Sequence, residues 1–179
     1  MVEAALITPI FLLVLFGVLE FGYSFLDRLS VKNASLTGAR VGSSEGTNAL
    51  ADFTVLEAID KALSGLSPSK VTTIVIYKAT SYTASVPAAC LTGSVTDLCN
   101  HYTGTDLSAP DTQFGCEPGN KDEAWCPTDR KTAQFGVNGP PDYFGVYVVA
   151  HHQNLTGFFG KGYDFKADTV IRLEPRRLV

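Results

Sequence analysis

Catalytic signatures are missing from this sequence. It holds no G-x-S-x-G, no H-E-x-x-H and no glycine-rich phosphate loop. The common ways of presenting a nucleophile, a catalytic zinc or a nucleotide phosphate are therefore absent. A basic stripe is missing too. The formal net charge is −4 and the basic residues are scattered, so there is no electrostatic reason to expect nucleic acid. Arg172, Arg176 and Arg177 gather near the C-terminus; a solvated chain end is the simpler reading of them. No Lys or Arg precedes Arg28, and Ala4–Leu19 carries no charge at all. Cysteine is absent outside the stretch from Cys90 to Cys126.

What is present is unevenly placed. The 179 residues suffice for one domain with or without an appendage. Much of the apolar content lies before Asp27, in Ala4–Leu26. A spanning helix needs about 20 predominantly apolar residues, and the run through Leu26 is long enough if Glu20 is tolerated. Three readings compete. A cleavable signal peptide needs a basic start, which is missing, and the sequence after Leu26 keeps its helical character. A plain membrane anchor accounts for the apolar run and for the stop at Asp27 and Arg28. It leaves Glu20 unexplained, because a membrane-buried carboxylate is costly and usually marks a partner or a function. A helix that leaves the bilayer to pack in a filament accounts for both. Its apolar face meets other copies, and a carboxylate can find a cationic partner there.

Helix propensity supports one continuous element from about Val2 to Val41. Ala34, Gly38 and Gly42 form a small-residue strip at four-residue spacing, which lets helices approach closely. Pro9 removes one backbone hydrogen bond and is expected to bend or locally open the helix. The run VEAALITPIFLLVLFGVLEFGYSF, with Glu3, Pro9, Glu20 and Phe21, resembles the TadE/TadG-like pilins of tight-adherence (Tad, or Flp) pili. The NASLTGARVGSS that follows resembles the continuation of that helix. DYFGVYVVAHHQNLTGFFG and TVIRLEPRR resemble the C-terminal part of actinobacterial TadE-like proteins. The resemblance implies a precursor with a polar leader ending in Gly shortly before Val2, cut by a prepilin peptidase. It also implies insertion in the inner (cytoplasmic) membrane, then extraction by the Tad secretion machinery into an extracellular pilus. The partners would be copies of this chain and other pilins. Glu3, Pro9 and Glu20 would be the assembly residues, with Glu3 pairing with a cationic group of a neighbour.

Behind the first helix, Ala49–Leu66 reads as a second one. Leu56, Ile59, Leu63 and Leu66 give it an apolar face, Thr54 and Glu57 or Asn48 offer caps, and Ser67-Pro68 ends it. Val71–Tyr77 is a strand with apolar residues on both faces, so it should be central in a sheet. Tyr143–His151 and Asp168–Leu173 are two more strands, with a short helical turn at Leu155–Gly160 between them. Lys78–Pro141 is a long polar insertion. A structureless loop of that length is unusual in a compact domain, and the cysteines explain how it can stay ordered. An even count behind a hydrophobic segment suggests an oxidising compartment. Four cysteines allow three pairings; the sequential one, Cys90–Cys99 and Cys116–Cys126, is expected because the two short loops are separated by polar, Gly-containing chain.

The remaining constellations have plain readings. The cysteine spacings are far longer than the two to four residues of zinc ribbons. His151 and His152, adjacent on a strand, point to opposite faces and cannot share a metal; His101 lies elsewhere. The loop carboxylates Asp97, Asp106, Asp111, Glu117, Asp122, Glu123 and Asp129 match no EF-hand, so solvation is their expected role. Asn33-Ala-Ser35 and Asn154-Leu-Thr156 are formal sequons and read as chance matches. Trp125, Phe135, Tyr143 and Phe144 could form a binding patch, though packing on the sheet has the stronger claim.

The expectation is an α+β fold. Residues 1–43 form a transmembrane or filament-core helix, and residues 44–179 an extracytoplasmic head with a second helix, a small mainly antiparallel sheet and the Cys-containing insertion at 78–141. The function is structural, no cofactor or metal is implied, and no enzyme activity is expected. The alternative is a single-pass anchored binding domain that does not polymerise. A secreted hydrolase is the least supported class.

Overall fold

The computed structural model describes residues 2–66, 70–132, 140–156 and 160–174, with side chains from residue 7 onward. Ser67, Pro68 and Phe135, the Arg176–Arg177 pair, part of the expected turn at Leu155–Gly160 and the side chain of Glu3 lie outside the described residues.

The fold is α+β. Helix α1 runs from Val2 to Glu45 without interruption at Pro9. A proline there leaves the carbonyl of Ala5 without its helical donor, and the helix continues through it. Helix α2, Ala51–Ala62, is shorter at both ends than the expected Ala49–Leu66. Neither expected cap forms at its first residue: the preceding Leu50 makes no side-chain cap, and Asn48 Oδ1 instead accepts the Leu50 N–H at 3.1 Å, closing the turn between the helices. Its buried face carries Val55, Leu56 and Ile59, and Leu63 and Leu66 continue it beyond the last helical turn.

Four antiparallel strands follow: β1 (Val71–Ala79), β2 (Cys99–Tyr102), β3 (Tyr143–His152) and β4 (Tyr163–Arg172), in spatial order β2-β1-β3-β4. β1 is interior, as its two apolar faces require. The register sets Val75 opposite Tyr147 and Val148 opposite Ala167. Alternation then divides the side chains between two layers. Ile74, Ile76, Phe144, Val146 and Val148 join α1 and α2 in the larger core. Val75, Tyr77, Tyr147 and Val149 face the other way, under the insertion. Gly145 is required by that second layer. It pairs with Tyr77, and a Cβ there would lie 2.3 Å from Tyr77 Cζ.

The insertion is ordered by bonds of its own. Cys90 bonds Cys99, and Cys116 bonds Cys126. Cys99 opens β2, a strand that the polar composition of this region conceals. The carboxylates expected to be solvated make loop contacts in three cases. Asp122 is buried and accepts from the N–H groups of Gly115 and Cys116 at 3.0 and 3.2 Å; burial pushes its pKa up despite those bonds. Glu123 accepts from Gly119 N. Asp106 meets Lys121 Nζ at 2.7 Å and caps the turn that begins after Thr103.

At the inner edge of the larger core lies a buried ion pair. Arg130 Nη2 and Asp52 Oδ1 are 2.7 Å apart, and neither side chain is exposed. Asn100 Nδ2 and the Tyr102 hydroxyl both donate to Asp52 Oδ2 at 2.8 Å. The Arg130 guanidinium stacks 4.3 Å from the centre of the Trp125 ring, a cation–π contact. Burial, then the charge and hydrogen bond of Asp52, push the Tyr102 phenol well above its usual range. This cluster joins α2, β2 and the insertion. Trp125 and Phe144 are buried within the core, so packing accounts for both.

Candidate assembly and membrane interface

The two halves of α1 meet different surroundings. From Ile7 to Leu19 large apolar side chains are exposed on every side of the helix. This stretch belongs to the single described helix that is long and apolar enough to cross a membrane, with mean hydropathy 2.0 in its most apolar window. From Glu20 onward one face is covered. The covered positions run Glu20, Ser24, Asp27, Val31, Ala34 and Gly38, at alternating steps of four and three. That is the repeat of a helix seam applied along a partner, and the partner is the chain's own head.

The first three seam residues are polar, and each is matched by the end of the β3–β4 hairpin. Glu20 is 5% exposed. Its Oε1 accepts from Leu155 N at 2.7 Å, and its Oε2 accepts from Thr156 N and Oγ1 at 3.3 and 3.2 Å. The hydroxyls of Ser24 and Tyr163 hydrogen-bond to each other. Asp27 Oδ2 lies 2.7 Å from His152 Nδ1, and the buried His152 ring is flanked by Tyr163 and Phe165. Polar groups at a boundary between lipid-like and aqueous surroundings need such partners.

Further along, the seam becomes tight. Ser35 Oγ donates to Val146 O at 2.8 Å, and Ser43 Oγ donates to Arg172 O at 2.7 Å. A Cβ on Gly38 would meet Ile59 Cγ1 at 2.8 Å, and one on Gly42 would meet the Phe144 ring at 2.2 Å. The small-residue strip therefore lets α2 and β3 of the same chain approach α1. Gly22, on the uncovered side, has nothing within 4 Å. It lies in a shallow apolar groove of about 470 Å³ lined by Val18, Leu19, Gly22, Tyr23, Phe25 and Leu26.

Residues 1–40 match the TadE-like protein family. The match covers the apolar half of α1 and most of the seam, and stops before α2. No curated protein and no solved structure matches the chain. The TadE-like segment and its apolar helix fit a protein associated with a Tad pilus and anchored in a membrane.

Of the expected assembly residues, Glu3 and Pro9 lie in the N-terminal half of this TadE-like helix and Glu20 at its junction with the head. The side chains of the three histidines lie apart. His101 is on β2, His151 pairs with Asp164 at the surface, and His152 turns inward to Asp27. Among the described residues no cluster of three or more His, Cys, Asp or Glu is placed to hold a metal. Of the sequons, Ser35 is buried against the sheet and Thr156 is engaged with Glu20. The polar seam was missed as such, although Ser24 and Asp27 fall on the same helical face as Glu20. The Asp52–Arg130 pair was missed as well. Its one signal is an acid at position 52, in step with the apolar positions 56, 59 and 63 of α2.

Proposed function

We propose that the chain is a structural pilin or pilin-like subunit of a Tad-type pilus, polymerising through the N-terminal half of α1. The observation behind this reading is the contrast along α1. The core of the head takes in residues of α1 from Val31 onward, whereas among the described residues the large apolar side chains from Ile7 to Leu19 lie exposed. Burying them against lipid serves an anchored stage. Burying them against equivalent helices serves a filament, where the gain comes from packing and charge pairing more than from the hydrophobic effect. The Gly22 groove offers a neighbouring helix a place to seat.

In this reading residues 1–43 form the membrane and filament element, and residues 44–179 the extracytoplasmic head. The inner membrane holds the chain first, a prepilin peptidase removes a leader, and the Tad machinery extracts the subunit to the cell surface. Glu3 pairs with a cationic group of a neighbour, Pro9 adjusts the helix within the packed core, and Glu20 fixes the head to α1. The test compares Glu3→Ala with wild type in cells. The expected result is fewer filaments, with the head's thermal melting unchanged. Normal filament numbers would sink the role of Glu3. Protein that never appears in sheared filaments would favour an anchored, non-polymerising binding domain.

A further inference from the structure

Glu20 places a buried carboxyl group at the junction of α1 and the head. A carboxylate offers about four acceptor positions. Leu155 N, Thr156 N and Thr156 Oγ1 occupy three of them, and all three donors are neutral. Among the described residues, none of the ion pairs includes Glu20. A carboxylate so far withdrawn from water is stabilised by a cation. Beside it lies a cavity of about 110 Å³ lined by Glu20, Phe21, Ser24, Asn154 and Tyr163. A carboxylate beside aromatic rings is a setting that receives an ammonium group, through charge and through the ring faces.

Position identifies the source of that ammonium. The uncharged run Ala4–Leu19 that leads directly into Glu20 spans about 24 Å as a helix at about 1.5 Å per residue, on the scale of the ~30 Å of a bilayer's hydrocarbon core. With the apolar half in the bilayer, Glu20 lies at the depth of the lipid headgroups. Phe21, Tyr23 and Phe25 are exposed around it, in the manner of an interfacial aromatic belt.

The geometry points to a lipid-headgroup site: the Glu20 cavity takes the primary ammonium of an ethanolamine-type phospholipid. The ammonium donates one N–H to the remaining acceptor position of the carboxylate, with the rings of Phe21 and Tyr163 beside it. A choline headgroup has no N–H to donate and binds less well. The inference rests on the membrane-anchored stage proposed above and names the ligand met there.

The test uses the full chain in detergent micelles containing equal amounts of ethanolamine and choline phospholipid with identical acyl chains. Native mass spectrometry counts the lipid retained. Wild type should retain the ethanolamine lipid in about tenfold preference, the worth of one charge-assisted hydrogen bond. Glu20→Gln should abolish the preference. Thr156→Val, which loosens the same loop but keeps the carboxylate, should preserve it. Equal retention by wild type, or a preference that survives Glu20→Gln, overturns the site. Retention of a second chain in place of lipid also overturns it, since a neighbour's amine would then be the occupant. Flotation with vesicles of the same lipids separates the two readings. Failure to float removes the anchored stage together with the site, whereas flotation without headgroup preference removes the site alone.

Discussion

The first half of α1 and its second half are one helix under two sets of rules. Before Glu20, the described apolar side chains, from Ile7 on, point in all directions, and Pro9 lies inside the helix. After Glu20, the same cylinder carries a face of small and polar residues fitted to particular atoms of the head. A surface meant for lipid or for many equivalent neighbours needs area and tolerance. A surface meant for one partner in one register needs exclusions, and Gly38 and Gly42 provide them.

That contrast can be broken by disturbing the head alone. Arg130→Ala leaves Asp52 buried without its partner, which should destabilise the head by about 3–5 kcal/mol. Thermal melting of the full chain in detergent would show the loss, while helix insertion, followed by flotation with vesicles, should persist. Concurrent loss of insertion would mean that the two halves are not independent.

Paired glycine substitutions sharpen the comparison within α1. Gly42→Ala drives a methyl into the Phe144 ring and should cost about 1–3 kcal/mol of head stability by overpacking. Gly22→Ala meets open space, so the head's melting should hold or rise, by at most about 1 kcal/mol from helix propensity. Equal effects at both positions would erase the distinction between the two faces.

The smallest effect tests a contact far from α1. Lys121 holds Asp106 in its charged form. Burial opposes ionisation of Asp106, but its bonds to Lys121 and Thr103 prevail and set its pKa below the ordinary 3.8. A depressed carboxylate pKa contributes stability above the unfolded value, and that stability is lost as pH falls through the folded one. Lys121→Met should therefore cost less than about 1 kcal/mol near neutrality. The difference from wild type should shrink as pH falls below 3.8 and vanish once it has passed the depressed pKa of Asp106. Melting curves across pH measure it, and a difference that grows in acid would contradict the assignment.

Much of this architecture was legible in the sequence where a single periodicity operated. The long helix, the inward face of α2 and the interior position of β1 follow from apolar spacing alone. The helix ends were less legible: α1 continues past Val41 to Glu45, and α2 starts at Ala51 where Asn48 makes a turn instead of a cap. β2 was hidden because its four residues, Cys-Asn-His-Tyr, are mostly polar and draw their burial from Asp52 and the Cys90 bridge. β4 begins five residues earlier than the expected Asp168, because Tyr163–Ala167 mixes charge and aromatics along a sheet edge. The junction was the least legible part. Glu20 stood out as an acid in an apolar run, but its partners at Leu155 and Thr156 are fixed by the hairpin's return, which no local pattern encodes.

The seam also has a mechanical consequence. Contacts from Glu20 to Ser43 are strung over about 35 Å of helix at about 1.5 Å per residue. A pull on the N-terminal end of α1, directed along its axis, strains them all together in shear, whereas a sideways pull opens them one after another from Glu20. Single-molecule force measurements along the two directions should give a higher rupture force for axial tension. A shaft joined to its head in this way holds best in the direction in which a fibre is stretched.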